Sequence, residues 1–269
     1  MTVRQAINEL SDVCLKQHAQ WALSHVLDVD YTQLMLSQDE AIHPDHVLKL
    51  TEIKERLINN EPIQYIIGTV QFVDLTIKTD KRALIPRQET ELLALNALEC
   101  AQIFETPKIL DIGCGTGCIG LFLKSRLPKA DVEMMDLSDD ALDLTKENME
   151  NLGLSCCLTK ADMLALQTKP CDVIVSNPPY IRTNDIPNMD PNVKDYEPYT
   201  ALDGGIDGLI FYRALSEFAN NSLSEKGAIV VETGYDLHND VADIFRPHFS
   251  NIEIYKDFMD IYRVVVAKR

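Results

Sequence analysis

No stretch of the sequence is long and apolar enough to cross a bilayer. The longest apolar runs are strand-sized, such as Ile229-Val230-Val231, whereas a membrane helix needs ~20 such residues. The opening residues, MTVRQAINEL, have no basic head, apolar stretch or small-residue cleavage site, so they read as an amphipathic helix and not as a secretory signal. A cytoplasmic location is the expectation. Cysteine supplies no framework either. The seven are odd in number, and Cys14, Cys100, Cys114, Cys118, Cys156, Cys157 and Cys171 show no paired ligand spacing. They fit small apolar fillers in a reducing compartment. The six histidines are scattered, so no metal is expected. Positive charge is scarce: 42 acids against 25 bases leave a net charge of −17, and residues 1–80 alone hold 12 acids against 6 bases. A body with that field repels phosphate backbones, and no basic patch interrupts it, so direct nucleic-acid binding is not expected and a basic protein partner is favoured. Repeats and low-complexity tracts are missing too.

What remains is an ordinary globular composition, 46 % hydrophobic and 25 % charged over 269 residues, enough for one large domain with a small appendage. The first 60 residues carry helical patterns and almost no strand signal. Val47, Leu50, Ile53 and Leu57 recur at helical spacing between His43-Pro44-Asp45, which opens a helix, and Asn59-Asn60-Glu61-Pro62, which closes it. QYIIG and QFVDLTIK then read as two β segments of a hairpin. These features predict a helical domain over 1–62, a β-hairpin linker over 63–80 and the main domain over 81–269. After a helical stretch, ETELLALNALECAQIF, strands and helices alternate from KILDI to a final strand pair in NIEIYKDFMDIYRVVVAK. Such alternation predicts α/β architecture: a mostly parallel sheet covered on both faces, with one antiparallel strand at the end. In sheets of this kind ligands bind beyond the carboxyl ends of the strands, where strand order reverses. Chemistry is therefore expected just after Ile112, Met135, Asp162 and Ser176.

Asp111-Ile112-Gly113-Cys114-Gly115-Thr116-Gly117-Cys118-Ile119-Gly120 follows the first of these strands. Gly115, Gly117 and Gly120 satisfy the dinucleotide pattern, with Asp136 about 20 residues on to hold a ribose. A nicotinamide cofactor is formally allowed. Register and charge favour S-adenosylmethionine. The turn begins at Gly113, and Asp111 beside it would repel a pyrophosphate yet suit a sulfonium and an ammonium. The expected cofactor residues are Asp111, Gly113, Cys114, Gly115, Thr116, Gly117, Asp136 for the ribose hydroxyls, Asp162 and Met163 for adenine, and Asn177 at the edge.

The fourth strand runs into Asn177-Pro178-Pro179-Tyr180. The prolines would by themselves explain a strand stop. They also suit a planar acceptor nitrogen, whose lone pair lies perpendicular to its own plane and must face the methyl donor. A proline-fixed backbone lets the Pro178 carbonyl and the Asn177 side-chain oxygen accept the two N–H groups, with Tyr180 stacking on the flat group. Asn177, Pro178 and Tyr180 are thus the candidate catalytic residues, and Pro179 completes the substrate site.

The chain resembles the HemK/PrmC family of protein-(glutamine-N5) methyltransferases, which modify the Gly-Gly-Gln motif of peptide chain release factors. The resemblance runs from Pro62-Ile63-Gln64-Tyr65-Ile66-Ile67-Gly68 through Ile85-Pro86-Arg87, Glu89-Thr90-Glu91 and the glycine loop. It continues over Val175 to Ile181, Tyr196-Glu197-Pro198, Ala201-Leu202, Gly204-Gly205 and Asp207-Gly208. Gln88, Met163 and Leu237 depart from residues usual in the family. The resemblance implies a Rossmann-like class I methyltransferase sheet and a helical amino-terminal domain that helps bind the release factor; a monomer is the expectation. The same tetrapeptide resembles that of DNA adenine-N6 methyltransferases, which need a basic DNA surface. A ribosomal-protein glutamine methyltransferase fits the same motifs. A non-enzymatic adaptor on this fold would show erosion of the loop or tetrapeptide, and both are intact.

Overall fold

A computed structural model describes all residues, Met1–Arg269. The chain divides into two compact units, one made of residues 1–69 with 190–196, the other of residues 70–189 with 197–269.

The first unit is helical: α1 (Val3–Ser11), α2 (Lys16–Leu27), α3 (Tyr31–Leu36), α4 (Pro44–Ile58) and α5 (Ile63–Ile67). Its helix starts are written locally. Thr2 and Gln5 close a capping box on α1, Asp30 and Gln33 do so on α3, and Pro44 occupies the first turn of α4. Val3, Ile7, Leu23, Leu34, Leu50 and Ile53 form the core of this unit. The Tyr196 hydroxyl donates to the Asn59 carbonyl at 2.7 Å, tying residues 190–196 to the end of α4. One sequence expectation is corrected here. Gln64–Gly68, read as a strand, is the helix α5, opened at Pro62 and closed by Gly68 at φ 83°. Five residues are too few to show a period, and packing against the helical core overrides the β preference of isoleucine.

The second unit begins within a hairpin of β1 (Thr69–Phe72) and β2 (Leu75–Lys78), which precedes α6 (Gln88–Ala101). Then follow β3 (Lys108–Ile112), α7 (Cys118–Arg126), β4 (Asp131–Asp136), α8 (Asp139–Leu152), β5 (Cys157–Lys160) and β6 (Cys171–Ser176). The short α9 (Pro191–Lys194) lies in the returning segment of the first unit. Thereafter come α10 (Ile210–Ser222), β7 (Leu223–Glu232), α11 (His238–Phe245), β8 (Asn251–Lys256) and β9 (Tyr262–Lys268). The seven-stranded sheet has the order β5-β4-β3-β6-β7-β9-β8. Its pairs are parallel except those of β9, which is antiparallel to both neighbours. This is the mostly parallel α/β sheet that the alternation predicts.

The two faces follow from strand alternation. On β6, Val173 and Val175 join Leu93, Ala97 and Phe122 from α6 and α7, while Ile174 points to Tyr212, Leu215 and Phe245 from α10 and α11. Strand order turns around between β3 and β6, so their carboxyl ends bound the crevice where loops diverge.

Candidate active site

A cavity of about 350 Å³ opens at that crevice, walled by the glycine loop, the ends of β4 and β5, the tetrapeptide and residues 82–87. The loop is folded by backbone chemistry. Gly113 and Cys114 donate their N–H groups to the Met135 carbonyl at 2.8 and 2.9 Å, and Gly113 has φ 74°. A Cβ on Gly113 would stand 3.0 Å from the Met163 methyl, so glycine there keeps both the turn and the space beside it. Asp136 has two tasks. Its Oδ2 accepts from Gly115 N at 2.9 Å and its Oδ1 from Ser138 N at 3.0 Å, while the residue still lines the cavity. Asp162 caps the short turn after β5, accepting from Leu164 N at 2.9 Å, and lines the cavity beside Met163.

Of the residues expected to bind cofactor, Gly113, Cys114, Gly115, Thr116, Asp136, Asp162, Met163 and Asn177 come together on the cavity wall. Two do not. Asp111 is fully buried beneath the loop, where its Oδ2 accepts from Gly120 N at 2.8 Å and its Oδ1 has no partner. Burial pushes its carboxyl up to about 7 against the pull of the Gly120 N–H, and Asp136 adds to the rise. Strand alternation explains the difference: Asp111 sits between Leu110 and Ile112 and therefore faces α7. Gly117 serves as the N-cap of α7 at φ 78°, packed toward Thr145, and also stays off the wall.

The tetrapeptide divides similarly. Asn177 and Pro179 line the cavity; Pro178 is buried, and the Tyr180 ring packs into the hydrophobic cluster under α10 and α11. The Tyr180 hydroxyl reaches Glu232 Oε1 at 3.4 Å. The stacking surface expected of Tyr180 is thus not on the cavity wall, and the residue supports the tetrapeptide from behind. Asn177 Nδ2 donates to Thr90 Oγ1 at 3.2 Å, while its Oδ1 makes no hydrogen bond within the protein. Ser176 Oγ donates to the Ile112 carbonyl at 2.6 Å and so joins the ends of β6 and β3. Beyond the tetrapeptide, Gly204 N donates to the Ile181 carbonyl at 2.8 Å.

Sequence reading missed Thr90 and the segment Arg82–Arg87 as cavity walls. Both arginines there are already paired: Arg82 with Asp80 and Glu147, each at 2.8 Å, and Arg87 with the buried Glu197. Glu197 Oε2 also accepts from Ile85 N at 3.0 Å. No single residue signals this strap, because its two halves lie about 110 positions apart. With its arginines paired and two acidic side chains on the wall, the cavity suits a cationic ligand that carries hydroxyls better than a pyrophosphate. These residues fit S-adenosylmethionine: Asp136 retains lone pairs for ribose, and the Asp162–Met163 turn offers an acceptor beside an apolar face for adenine.

Comparison with known proteins agrees. The PrmC N-terminal domain matches residues 3–68 and the methyltransferase small domain residues 88–189. The release factor glutamine methyltransferase of Geobacter sulfurreducens is 36 % identical over 248 residues, covering 91 % of this chain and 87 % of that protein. That of Clostridium acetobutylicum is 34 % identical over 270 residues, covering 98 % and 94 %. The chain belongs to the release factor glutamine methyltransferase family. Its fold is shared more widely: a methyltransferase from Pyrococcus furiosus superposes with a TM-score of 0.54 at 16 % identity, over 81 % of this chain and 98 % of that one. As a member of the family the protein is an S-adenosylmethionine-dependent methyltransferase. No helix in it is long and apolar enough to cross a membrane.

Asp136 gives the first test. Asp136→Ala should weaken S-adenosylmethionine binding by roughly 1–3 kcal/mol, the scale for lost charge-assisted hydrogen bonds. Calorimetry returning the wild-type affinity would place the ribose elsewhere.

Proposed function

We propose that this chain transfers a methyl group from S-adenosylmethionine to the side-chain amide nitrogen of the glutamine in the Gly-Gly-Gln motif of peptide chain release factors. The observation that carries this reading is Asn177, which lines the cofactor cavity: its side-chain nitrogen is tied back to Thr90 while its side-chain oxygen has no protein partner. A primary amide presents two N–H donors, and we assign their acceptors to Asn177 Oδ1 and the main-chain carbonyl of Pro178, the residue joined to Pro179 on the cavity wall. Prolines on both sides of that carbonyl's peptide hold it still. The bound cofactor supplies an electrophilic methyl carbon. The two acceptors fix the amide plane and stabilise the positive charge that develops on nitrogen. The methylated nitrogen, positively charged and still carrying both protons, is strongly acidic and gives up one of them without a dedicated base.

Mass spectrometry of a release factor incubated with the protein and S-adenosylmethionine tests this directly. One added methyl group on the Gly-Gly-Gln glutamine supports the reading, and an unmodified glutamine removes it.

The helical unit, residues 1–62 with its exposed Leu15, Leu36, Leu48 and Ile58, is the proposed docking surface for the release factor, and the site of action is the cytoplasm. The net charge of −17 favours a basic partner surface and opposes direct nucleic-acid binding, and the chain is proposed to act as a monomer. Release-factor affinity should fall as salt rises, since the screening length shortens from ~30 Å at 0.01 M to ~8 Å at 0.15 M. Affinity that is flat across this range in a titration would remove the electrostatic part of recognition and leave the chemistry untouched.

A further inference from the structure

Glu232 is the last residue of β7, nearly fully buried, and plays no part in the chemistry described above. Register places it one step past the Ser176–Val231 pair, beside the start of the tetrapeptide. Thr90 Oγ1 donates to its Oε2 at 2.6 Å, and the Tyr180 hydroxyl approaches its Oε1 at 3.4 Å. The Tyr212 hydroxyl holds its main-chain carbonyl at 2.8 Å. Thr90 in turn accepts from Asn177 Nδ2. One carboxylate therefore connects with both polar side chains of the tetrapeptide, one through a hydroxyl and one directly.

The direction of this chain of bonds has a consequence. A threonine hydroxyl has a single proton, and at 2.6 Å that proton is committed to Glu232. Its oxygen can then only accept, so Asn177 must turn its Nδ2 toward Thr90 and its Oδ1 away from it. We infer that Glu232 is a positioning residue: through Thr90 it fixes the Asn177 amide with the oxygen available to the substrate. Were the chain reversed, Asn177 would offer N–H groups to a substrate amide that also offers N–H groups, and the two donors would repel. The inference rests on the glutamine-methylation reading for its meaning in catalysis, though the orientation itself does not.

Protonation is the natural way to reverse the chain. Burial pushes Glu232 up to about 7, against the pull of the Thr90 hydroxyl, Arg263 and Tyr180, while Glu89 adds to the rise. The groups facing it are Thr90 and Glu89 from the start of α6, Tyr180 from the tetrapeptide, Arg263 from β9, Tyr212 from α10 and Cys118 from α7. The sign for activity is a fall as pH drops through about 7, because a protonated Glu232 no longer accepts at both oxygens. The sign for stability is opposite. A carboxyl raised from 4.5 to about 7 contributes most when protonated, and that contribution is lost as pH rises through the folded value.

Glu232→Gln separates positioning from packing. It keeps the shape and removes a buried charge, so a purely structural role predicts unchanged turnover and a melting temperature at pH 8 no lower than wild type. The positioning role predicts turnover on a release factor down at least ~10-fold with cofactor affinity unchanged, the scale of a misdirected polar group at developing charge. It also predicts loss of the acidic limb near pH 7. Thr90→Val should give the same loss, and the double variant no more than either alone. Should Glu232→Gln fail to fold, Thr90→Val reads the same path. Hydrogen exchange at the Asn177 side-chain amide supplies a substrate-free reading: slow in wild type, fast in both variants. Wild-type exchange and turnover in Glu232→Gln would overturn the inference. A wild-type enzyme that leaves the release factor unmodified, yet shows exchange governed by Glu232, would instead count against the substrate and uphold the positioning.

Discussion

Asn177→Ala should remain folded and methylate a release factor at saturating S-adenosylmethionine roughly 10²-fold more slowly or worse, the scale for removing one preorganised polar group at developing charge. The structure supports a large effect on turnover with a small one on stability. Asn177 is only half-buried, and its single hydrogen bond within the protein, to Thr90, is 3.2 Å long. The backbone that carries it is set independently by Pro178 and Pro179, so alanine leaves the turn in place. What disappears is the side-chain oxygen, which has no partner within the protein. Thermal melting together with methyl-transfer kinetics checks the claim. A variant that melts normally and transfers methyl groups at the wild-type rate would defeat the mechanism.

Gly204→Ala should be comparably damaging, though Gly204 lies 24 residues past Tyr180 and touches no expected ligand. A Cβ built there would stand 2.7 Å from Tyr180 Cα and 2.8 Å from the Pro179 carbonyl oxygen, where ordinary contact begins near 3.4 Å. These are backbone atoms of the tetrapeptide and cannot swing aside as a flexible side chain would. The tetrapeptide or the Gly204 segment must yield by more than half an ångström, and misplacements on the order of 1 Å can cost ~10²-fold in rate. The glycine loop lies elsewhere on the wall, so cofactor affinity should hold. Turnover near wild type with a normal melting curve would mean that the tetrapeptide tolerates the displacement. Loss of cofactor binding in parallel would mean that the damage spreads beyond it.

Much of this was legible in the sequence, for reasons that differ by element. The alternation of apolar strands with helices of fixed length specifies the sheet, and Ser138 marks the start of α8 because its hydroxyl takes the Ala141 N–H at 3.2 Å. The loop and tetrapeptide were legible because glycine and proline constrain the backbone locally. Side-chain direction was less so. Asp111 looked like a ligand by position, yet period-2 alternation turns it beneath the loop; strand register decides this, and an isolated motif does not contain it. Tyr180 shows the same limit, because its ring enters a cluster assembled from α10 and α11. Thr90 and Glu197 stood in segments of family resemblance with no role attached, and Glu232 had no mark at all. Their partners lie 87, 112 and 142 positions away, and only the folded sheet brings them together.

The position of β9 bears on how the molecule is built. Although later in the chain than β8, it lies between β7 and β8, and β8 has no other strand to pair with. During vectorial synthesis β8 therefore emerges with all its ladder groups unsatisfied and waits for the strand behind it. A cut in the link between them, at residues 257–261, would free β9, and its departure would leave β8 with no partner strand. It would also bare β7 along Ala228–Glu232, leaving an unpaired edge open to pairing with another copy of the chain.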